Sequence, residues 1–410
     1  MKIGTKLIMV IVTLALAGTG ALTGTILHLA QKQVKTLITS EITNLANESA
    51  SEIQVWLEVY MDMARTISQV MSKYEEVNRD DRRSLFNMML KTLVEENPEI
   101  IAAFSAWEPN ALDGRDGEFA NSAESDSTGR FIPYWVRYGD AIKPEPLEDY
   151  EVPGTGDYFL LPKQTGNEVL IEPFPYTLNG REILLVTPSV PIKNKGRFTG
   201  TISIDIDTDA IQKRLEQIKP YDGSVAVVYS HGGLVSGHFD PGRNGKPMME
   251  TEQDLAGPYL EPLREAVQKG QMFSFSNYVP GLKENMFFVN VPLHVGRTTA
   301  PWSLMLGIPS EVISAPVYRM LVFGVVIAVL MLFFMSAGAF LLSKAISNPL
   351  KRMVTILGDI GEGDLTKRLD ARSKDEIGDM TRSFNNTLDK IRNLILIIRE
   401  KARSLSKTGT

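Results

Sequence analysis

The residues best suited to chemistry in this sequence are carboxylates and aromatic rings near the middle of the chain. Asp157 and Asp205 stand among Tyr134, Trp135, Tyr138, Tyr158, Phe174 and Tyr176. Aromatic faces around a carboxylate would hold a desolvated organic cation, each good face contributing about 0.5–2 kcal/mol and the carboxylate adding direct charge pairing. Asp205 closes the apolar run Gly200 to Ile206, where a buried carboxylate needs a partner. Other chemistries fail on residue type or spacing. Asp205, Asp207, Asp209 and Glu216 copy the ligand spacing of a calcium loop, but Ala210 stands where the sharp turn needs Gly, and a strand precedes it instead of a helix. His28, His231, His238 and His294 show no paired metal spacing beyond the loosely placed His231 and His238. His231-Gly232-Gly233 has no nucleophile elbow with it, and no phosphate-cradling Gly-rich loop occurs. With 0 Cys, thiolate chemistry and disulfides are excluded. The residues describe a binding protein rather than an enzyme, with no cofactor and no metal.

Two long uncharged runs frame these residues. Leu7 to Leu27 and Met320 to Ser343 are each long enough, as helices, to cross a hydrocarbon core of about 30 Å. The first run is longer than the apolar part of a cleavable signal peptide and continues into a helical pattern, so it reads as retained. Lys2 and Lys6 before the first span, and Lys344, Lys351 and Arg352 after the second, place both termini in the cytoplasm of an inner-membrane, multi-pass protein. The region between the spans is then periplasmic or extracellular. The net charge of −6 offers no basic footprint, so no nucleic-acid partner is expected.

Ile38, Ile42, Leu45, Ser49, Ile53, Trp56 and Tyr60 recur at helical spacing, widened by Leu57, Ala64 and Ile67, and no Gly or Pro interrupts Gln31 to Tyr74. A long helix rising from the membrane is predicted. Beyond it come β-branched and aromatic runs bounded by turn residues: Ile100–Trp107, Phe131–Tyr138, Glu168–Phe174, Arg181–Ile192 and Phe198–Ile206. A helical interval, Ala210–Ile218, leads to a second set: Ser224–Tyr229, Met272–Tyr278, Met286–Leu293 and Trp302–Ile308. The fold class is α+β, with two similar modules in tandem. After the second span, Ile346, Leu350, Met353, Leu357 and Ile360 form one coiled-coil seam, with Pro349 placed in the first turn of that helix. Gly361 to Asp364 then breaks the chain. Ile377, Met380, Phe384, Leu388, Ile391, Ile395 and Ile398 form a second seam, and both seams need a partner chain.

The emergent helix, Gly129-Arg130 through Tyr134-Trp135, Pro188 to Ile192 with Gly200 to Ile206, and Pro301-Trp302 through Pro309 resemble the double Cache (PAS-like) sensor of bacterial chemoreceptors. That resemblance implies a ligand in the membrane-distal module, with Arg130 and its aromatic neighbours on a carboxylate and Asp205 on an ammonium. A further Asp usual in amino-acid-binding members is replaced here, since Thr177-Leu178-Asn179 follows Pro175-Tyr176. An amine, a quaternary ammonium compound or an amino acid is the expected ligand. Pro349 and Asp375-Glu376-Ile377-Gly378, at the opening of the second helix, resemble a HAMP linker, which implies a homodimer and assigns Pro349, Glu376 and Gly378 to the signal relay.

Together the segments resemble a methyl-accepting chemotaxis protein without its C-terminal signalling domain. The resemblance implies a cytoplasmic chemotaxis kinase and coupling protein as partners. The expected divisions are a cytoplasmic N-terminus (1–6), first span (7–29), long periplasmic helix (30–79), distal module (80–205), proximal module (206–310), second span (320–343), HAMP linker (344–398) and the start of a signalling region (399–410). The sensor of a histidine kinase or a diguanylate cyclase is the alternative, and a membrane-anchored hydrolase or solute-capture protein is more remote.

Overall fold

The computed structural model describes residues 3–178, 180–370 and 373–408. The chain divides into two compact units, residues 35–316 and residues 1–34 together with 317–410. Helix α1 (Ile3–Met71) is a single run of 69 residues.

In the first unit, α1 is followed by α2 (Arg82–Glu96), β1 (Ile100–Trp107), β2 (Pro133–Tyr138), β3 (Ala141–Pro146), α3 (Asp157–Thr165), β4 (Val169–Leu178), β5 (Arg181–Asn194) and β6 (Arg197–Asp207). These six strands form an antiparallel sheet in the order β3-β2-β1-β6-β5-β4. After α4 (Asp209–Leu215) come β7 (Val225–Tyr229), β8 (Val235–His238), α5 (Met248–Thr251), α6 (Gln253–Ala256), α7 (Leu260–Lys269), β9 (Phe273–Val279), β10 (Glu284–Leu293) and β11 (Trp302–Pro309). Their sheet runs β8-β7-β11-β10-β9. The two orders match once β3 is set aside, so the tandem pattern expected from the strand runs is present. Each module is α+β.

Strand alternation gives every sheet two faces. One face of both sheets shares a single core with α1, through Ile42, Ala46, Ala50, Ile53, Leu57, Met61 and Ala64. The buried stripe therefore runs along Ala46 and Ala50, whereas the half-buried Leu45 and Ser49 flank it, because alanine lets a helix approach a sheet closely. The other faces have separate cores: α3 covers the distal sheet, and α5 to α7 cover the proximal one. α1 ends at Met71, short of the predicted Tyr74, which begins a short 3-10 turn instead.

In the second unit, α8 (Ser310–Gly361) is one helix of 52 residues, and α9 (Glu376–Thr408) has 33. Both α1 and α8 contain a segment long and apolar enough to cross a membrane. A Cβ at Gly324 would come within 2.8 Å of Leu27 Cδ2, so α8 passes close to α1 at this glycine. The sequence placed Pro349 in a helix's first turn, but α8 runs straight through it. The helix begins far upstream at Ser310, so Pro349 removes one interior N–H rather than starting a new helix.

Candidate functional site: a carboxylate cup in the distal module

Asp205 lies on β6 with only 2% of its surface exposed. Its Oδ2 accepts from the Tyr134 hydroxyl at 2.8 Å and its Oδ1 from Thr187 Oγ1 at 2.5 Å. Those hydroxyls are its hydrogen-bond partners among the described residues, and no cation pairs with it there. Burial pushes its pKa up to about 6, against the pull of the Thr187 and Tyr134 bonds. Thr187 sits opposite Asp205 across the β5–β6 ladder. One rung along, Ser189 donates to the Tyr158 carbonyl at 2.5 Å, which leaves Ser203 to donate to Ser189 Oγ at 2.6 Å. The strands thus lay a polar floor under an aromatic wall.

That wall comes from both sides of the sheet. Tyr134 and Tyr138 are on β2, while Tyr176 and Phe174 are on β4, at the far edge of the strand order. Tyr134 and Tyr176 nevertheless stand with ring centroids 6.1 Å apart, so the sheet curls into a cup. Phe104 of β1 packs edge-on against Tyr158 of α3 at 5.1 Å and tilted against Tyr134 at 5.2 Å, joining the helix to the sheet. Burial and then the Asp205 charge raise the Tyr134 pKa well above its ordinary value, and Tyr158 is raised for the same two reasons in the same order. The hydroxyls are neutral donors across the physiological range.

Six of the residues singled out from sequence therefore converge: Tyr134, Tyr138, Tyr158, Phe174, Tyr176 and Asp205. Three do not. Trp135 is adjacent to Tyr134 on a strand and so points to the opposite face, where its Nε1 donates to Asn87 Oδ1 at 2.9 Å. With Arg83, Phe119 and Phe131 it lines a separate concavity of about 540 Å³ beside α2. Asp157 accepts from the Gly154 N–H at 3.0 Å and serves the turn that starts α3. Arg130 is buried outside the cup: its Nε donates to the Trp107 carbonyl, its Nη1 pairs with Glu151 at 2.7 Å, and it lies over the rings of Tyr150 and Phe159. Its Nη2 makes no hydrogen bond among the described residues; the nearest carboxylate, Glu108, lies 4.0 Å away with the same oxygen paired to Lys163 at 2.6 Å.

Sequence reasoning missed Thr187, Ser189 and Ser203. Their signal was present, since Thr187-Pro188-Ser189 and Ser203-Ile204-Asp205 place polar groups two apart inside apolar strands, and therefore on one face. Asn179, in the segment after Pro175-Tyr176 where the expected Asp is missing, lies outside the described residues. Among the described residues no group of three or more His, Cys, Asp or Glu is placed to hold a metal ion.

β4 also touches the proximal module. Glu168, just before it, accepts from Arg65 Nε at 2.6 Å and from the Arg297 N–H at 2.8 Å. Burial opposes its ionisation, yet the bonds from Arg65 and the Arg297 backbone hold its pKa below the usual carboxylate value. Glu172 accepts from the Gly232 N–H at 2.8 Å and from the Ser230 hydroxyl, and Glu58 of α1 accepts from the Gly296 N–H at 2.5 Å. Glu172 lies in a bulge between Ile171 and Phe174, so the joint runs up to the start of the aromatic wall.

In the other unit, Asp375 caps α9 by accepting from the Gly378 N–H at 3.1 Å. Glu376 is the first residue of α9 and adds a negative charge to its first turn, where the helix dipole favours it. A Cβ at Gly378 would lie 1.9 Å from the Ser373 carbonyl oxygen, so only glycine fits. Leu369 in the connector is clamped to α9 by two bonds with Asn385, at 3.1 and 2.9 Å.

Residues 341–393 match the HAMP domain family, and residues 86–213 match the family described as methyl-accepting chemotaxis protein-like, first PDC sensor domain. The methyl-accepting chemotaxis protein TlpQ of Pseudomonas aeruginosa is 26% identical over 364 residues, which cover 80% of this chain and 49% of TlpQ. McpC of Bacillus subtilis, also a methyl-accepting chemotaxis protein, is 23% identical over 64% of this chain and 36% of its own length. The chain spans at most about half the length of these curated relatives. Among solved structures, the extracellular domain of mmHK1S-Z3, described as a histidine kinase, shares 27% identity at a TM-score of 0.59, covering 69% of this chain and 98% of that domain. Both matched families are modules of non-enzymatic signal transducers.

Proposed function

We propose that this chain, which carries the sensor and HAMP domains of methyl-accepting chemotaxis proteins, is the ligand-binding and relay portion of a transmembrane chemoreceptor that recognises a small organic amine in its distal cup. The observation that carries the ligand reading is Asp205: a buried carboxylate ringed by aromatics and met by hydroxyls but by no cation among the described residues. An ionised carboxylate so placed is costly until a positive charge joins it. An ammonium would bond Asp205 directly while the faces of Tyr134, Tyr158, Phe104 and Tyr176 shield it. A carboxylate-bearing ligand is disfavoured in the cup, because the Arg130 guanidinium lies outside it, over the rings of Tyr150 and Phe159 and paired with Glu151.

Binding shifts a population. A ligand held between α3, β2 and β4 favours the closed cup, and the bias equals its differential affinity for the two states. β4 passes the change to the proximal loops through Glu168 and Glu172, and the second span carries it to the HAMP helices. Those helices act in a homodimer. Leu394, Ile395 and Ile398 of α9 are 59%, 48% and 65% exposed in the single chain, an apolar row that a partner helix would cover. Both termini lie in the cytoplasm in this reading, and the output is a chemotaxis kinase reached through its coupling protein.

The test is calorimetric titration and thermal shift with amines, amino acids, organic acids and purines. Amines should bind and lose affinity in Asp205→Asn, and each amino acid should bind more weakly than its decarboxylated amine. Binding confined to carboxylates or purines would overturn the cup assignment. A second output reading, a histidine kinase, has one observation in its favour, since the sensor of mmHK1S-Z3 has the same fold. Reconstitution with a chemotaxis kinase and coupling protein would separate the two.

A further inference from the structure

The back of β2 faces a second space. Tyr134 points into the cup and its neighbour Trp135 to the other face, so the two sides of one strand serve separate concavities. The one on the Trp135 side, between α2 and the loop that carries Phe119 and Glu124, has a volume of about 540 Å³, a size that holds a whole organic molecule. Its floor is aromatic, from Phe119, Phe131 and Trp135. Two classes of ligand fit it poorly. An anion finds no free donor on Arg83, whose five N–H groups are spent on five bonds to Asp113, Asp116, Ser125 and the Gly129 carbonyl. Lys91 at the rim is paired with Glu95 at 3.3 Å. An organic cation meets the chain's own cations. The Arg83 guanidinium already lies 4.1 Å from the Phe119 ring centroid and 5.4 Å from that of Phe131, and the Lys91 ammonium 5.9 Å from that of Trp135.

What remains is ring surface beside a free acceptor and a free donor. The half-buried Glu124 carboxylate has no hydrogen bond and no ion pair among the described residues. The Asn87 amide is oriented by Trp135, whose indole N–H can only donate: Asn87 Oδ1 accepts it at 2.9 Å, and Nδ2 is left as a free donor on a residue that lines the concavity. We propose that this concavity is a second ligand site, for an uncharged planar heterocycle that carries N–H donors beside a carbonyl, the lactam edge of guanine or of a pteridinone. The ring stacks on Trp135, its N–H groups donate to Glu124, and its carbonyl accepts from Asn87 Nδ2. Carboxylate and amide side chains read base edges by such bonds, and aromatic side chains hold the ring by stacking. A ring without N–H donors would cover Glu124 and leave it unanswered. The site does not depend on the amine reading, since it shares no lining residue with the cup.

The experiment is calorimetric titration of the full chain in lipid nanodiscs with guanosine and with 1-methylguanosine, which keeps the ring and its carbonyl but loses the ring N–H. Guanosine should bind once per chain and about tenfold more tightly, the worth of one hydrogen bond to a charged group at a partly exposed site. Glu124→Gln, at a side chain with no partner to lose, should weaken guanosine about tenfold by removing the charge from that bond. Asp205→Asn should leave guanosine unchanged, and an amine already bound in the cup should not compete with it. No binding of guanosine, equal affinities for the two nucleosides, undiminished binding in Glu124→Gln, or loss in Asp205→Asn would each overturn the second site. The amine reading is tested by amines alone, so either assignment can fail while the other stands.

Discussion

Replacing Asp205 by Asn should make the ligand-free sensor more stable at neutral pH, by an amount that the burial of Asp205 sets. The folded pKa near 6 lies about 2 units above the ordinary carboxylate value, so between about pH 4 and pH 6 the folded chain keeps a proton that the unfolded chain has released. Stability therefore falls as pH rises through that window and stays lower above it. At about 1.4 kcal/mol per unit, the ionised side chain costs the empty cup about 3 kcal/mol at neutral pH. Asn keeps the shape, does not titrate, and can bond the Thr187 and Tyr134 hydroxyls, which rotate to accept or donate.

The assay is thermal melting of residues 35–316, which form a compact unit, as wild type and Asp205→Asn from about pH 4 to pH 8. At about 2 °C per kcal/mol for a domain of this size, the variant should melt about 6 °C higher above pH 7, and the gap should close by pH 4. A gap of constant size, or a variant that is less stable at neutral pH, would refute the reasoning, because either result would mean that Asp205 is not a carboxylate awaiting a cation. A bound amine should restore the lost stability in the wild type alone.

Other substitutions separate the cup from its surroundings. Tyr134→Phe removes the donor to Asp205 Oδ2 and should weaken amine binding about tenfold by calorimetry, with little change in fold. Trp135→Ala should leave amine affinity unchanged, since its indole faces α2, while costing about 3 kcal/mol in denaturant unfolding. Gly378→Ala should unravel the start of α9 against the Ser373 carbonyl and reduce cross-linking between α9 helices in the membrane-bound dimer, with amine affinity at the sensor unaltered.

The strands with continuous β-branched or aromatic runs were legible because packing on two faces demands those residues. β3 was not, because Pro144 and Pro146 argue against a strand and are tolerated only at the sheet edge it occupies. β8 is short and contains Gly237, and α3 carries Pro162 inside it, so neither shows a clear period. At the site, residue type was readable but direction was not. Tyr134 and Trp135 are neighbours in sequence and were grouped on that account, yet the pleat sends them to opposite faces.

The joint between the two modules has a property of a different kind. Glu168, Glu172 and Glu58 reach the proximal loops chiefly through main-chain N–H groups, at Arg297, Gly232 and Gly296. A backbone amide is the same in almost every residue, so position 297 can change its side chain while the contact is kept, proline excepted because it has no N–H to offer. The glycines differ: a Cβ at Gly296 would lie 2.6 Å from Glu168 and one at Gly232 3.1 Å from Glu172. The joint thus pairs two positions that must stay bare with one that is free to vary.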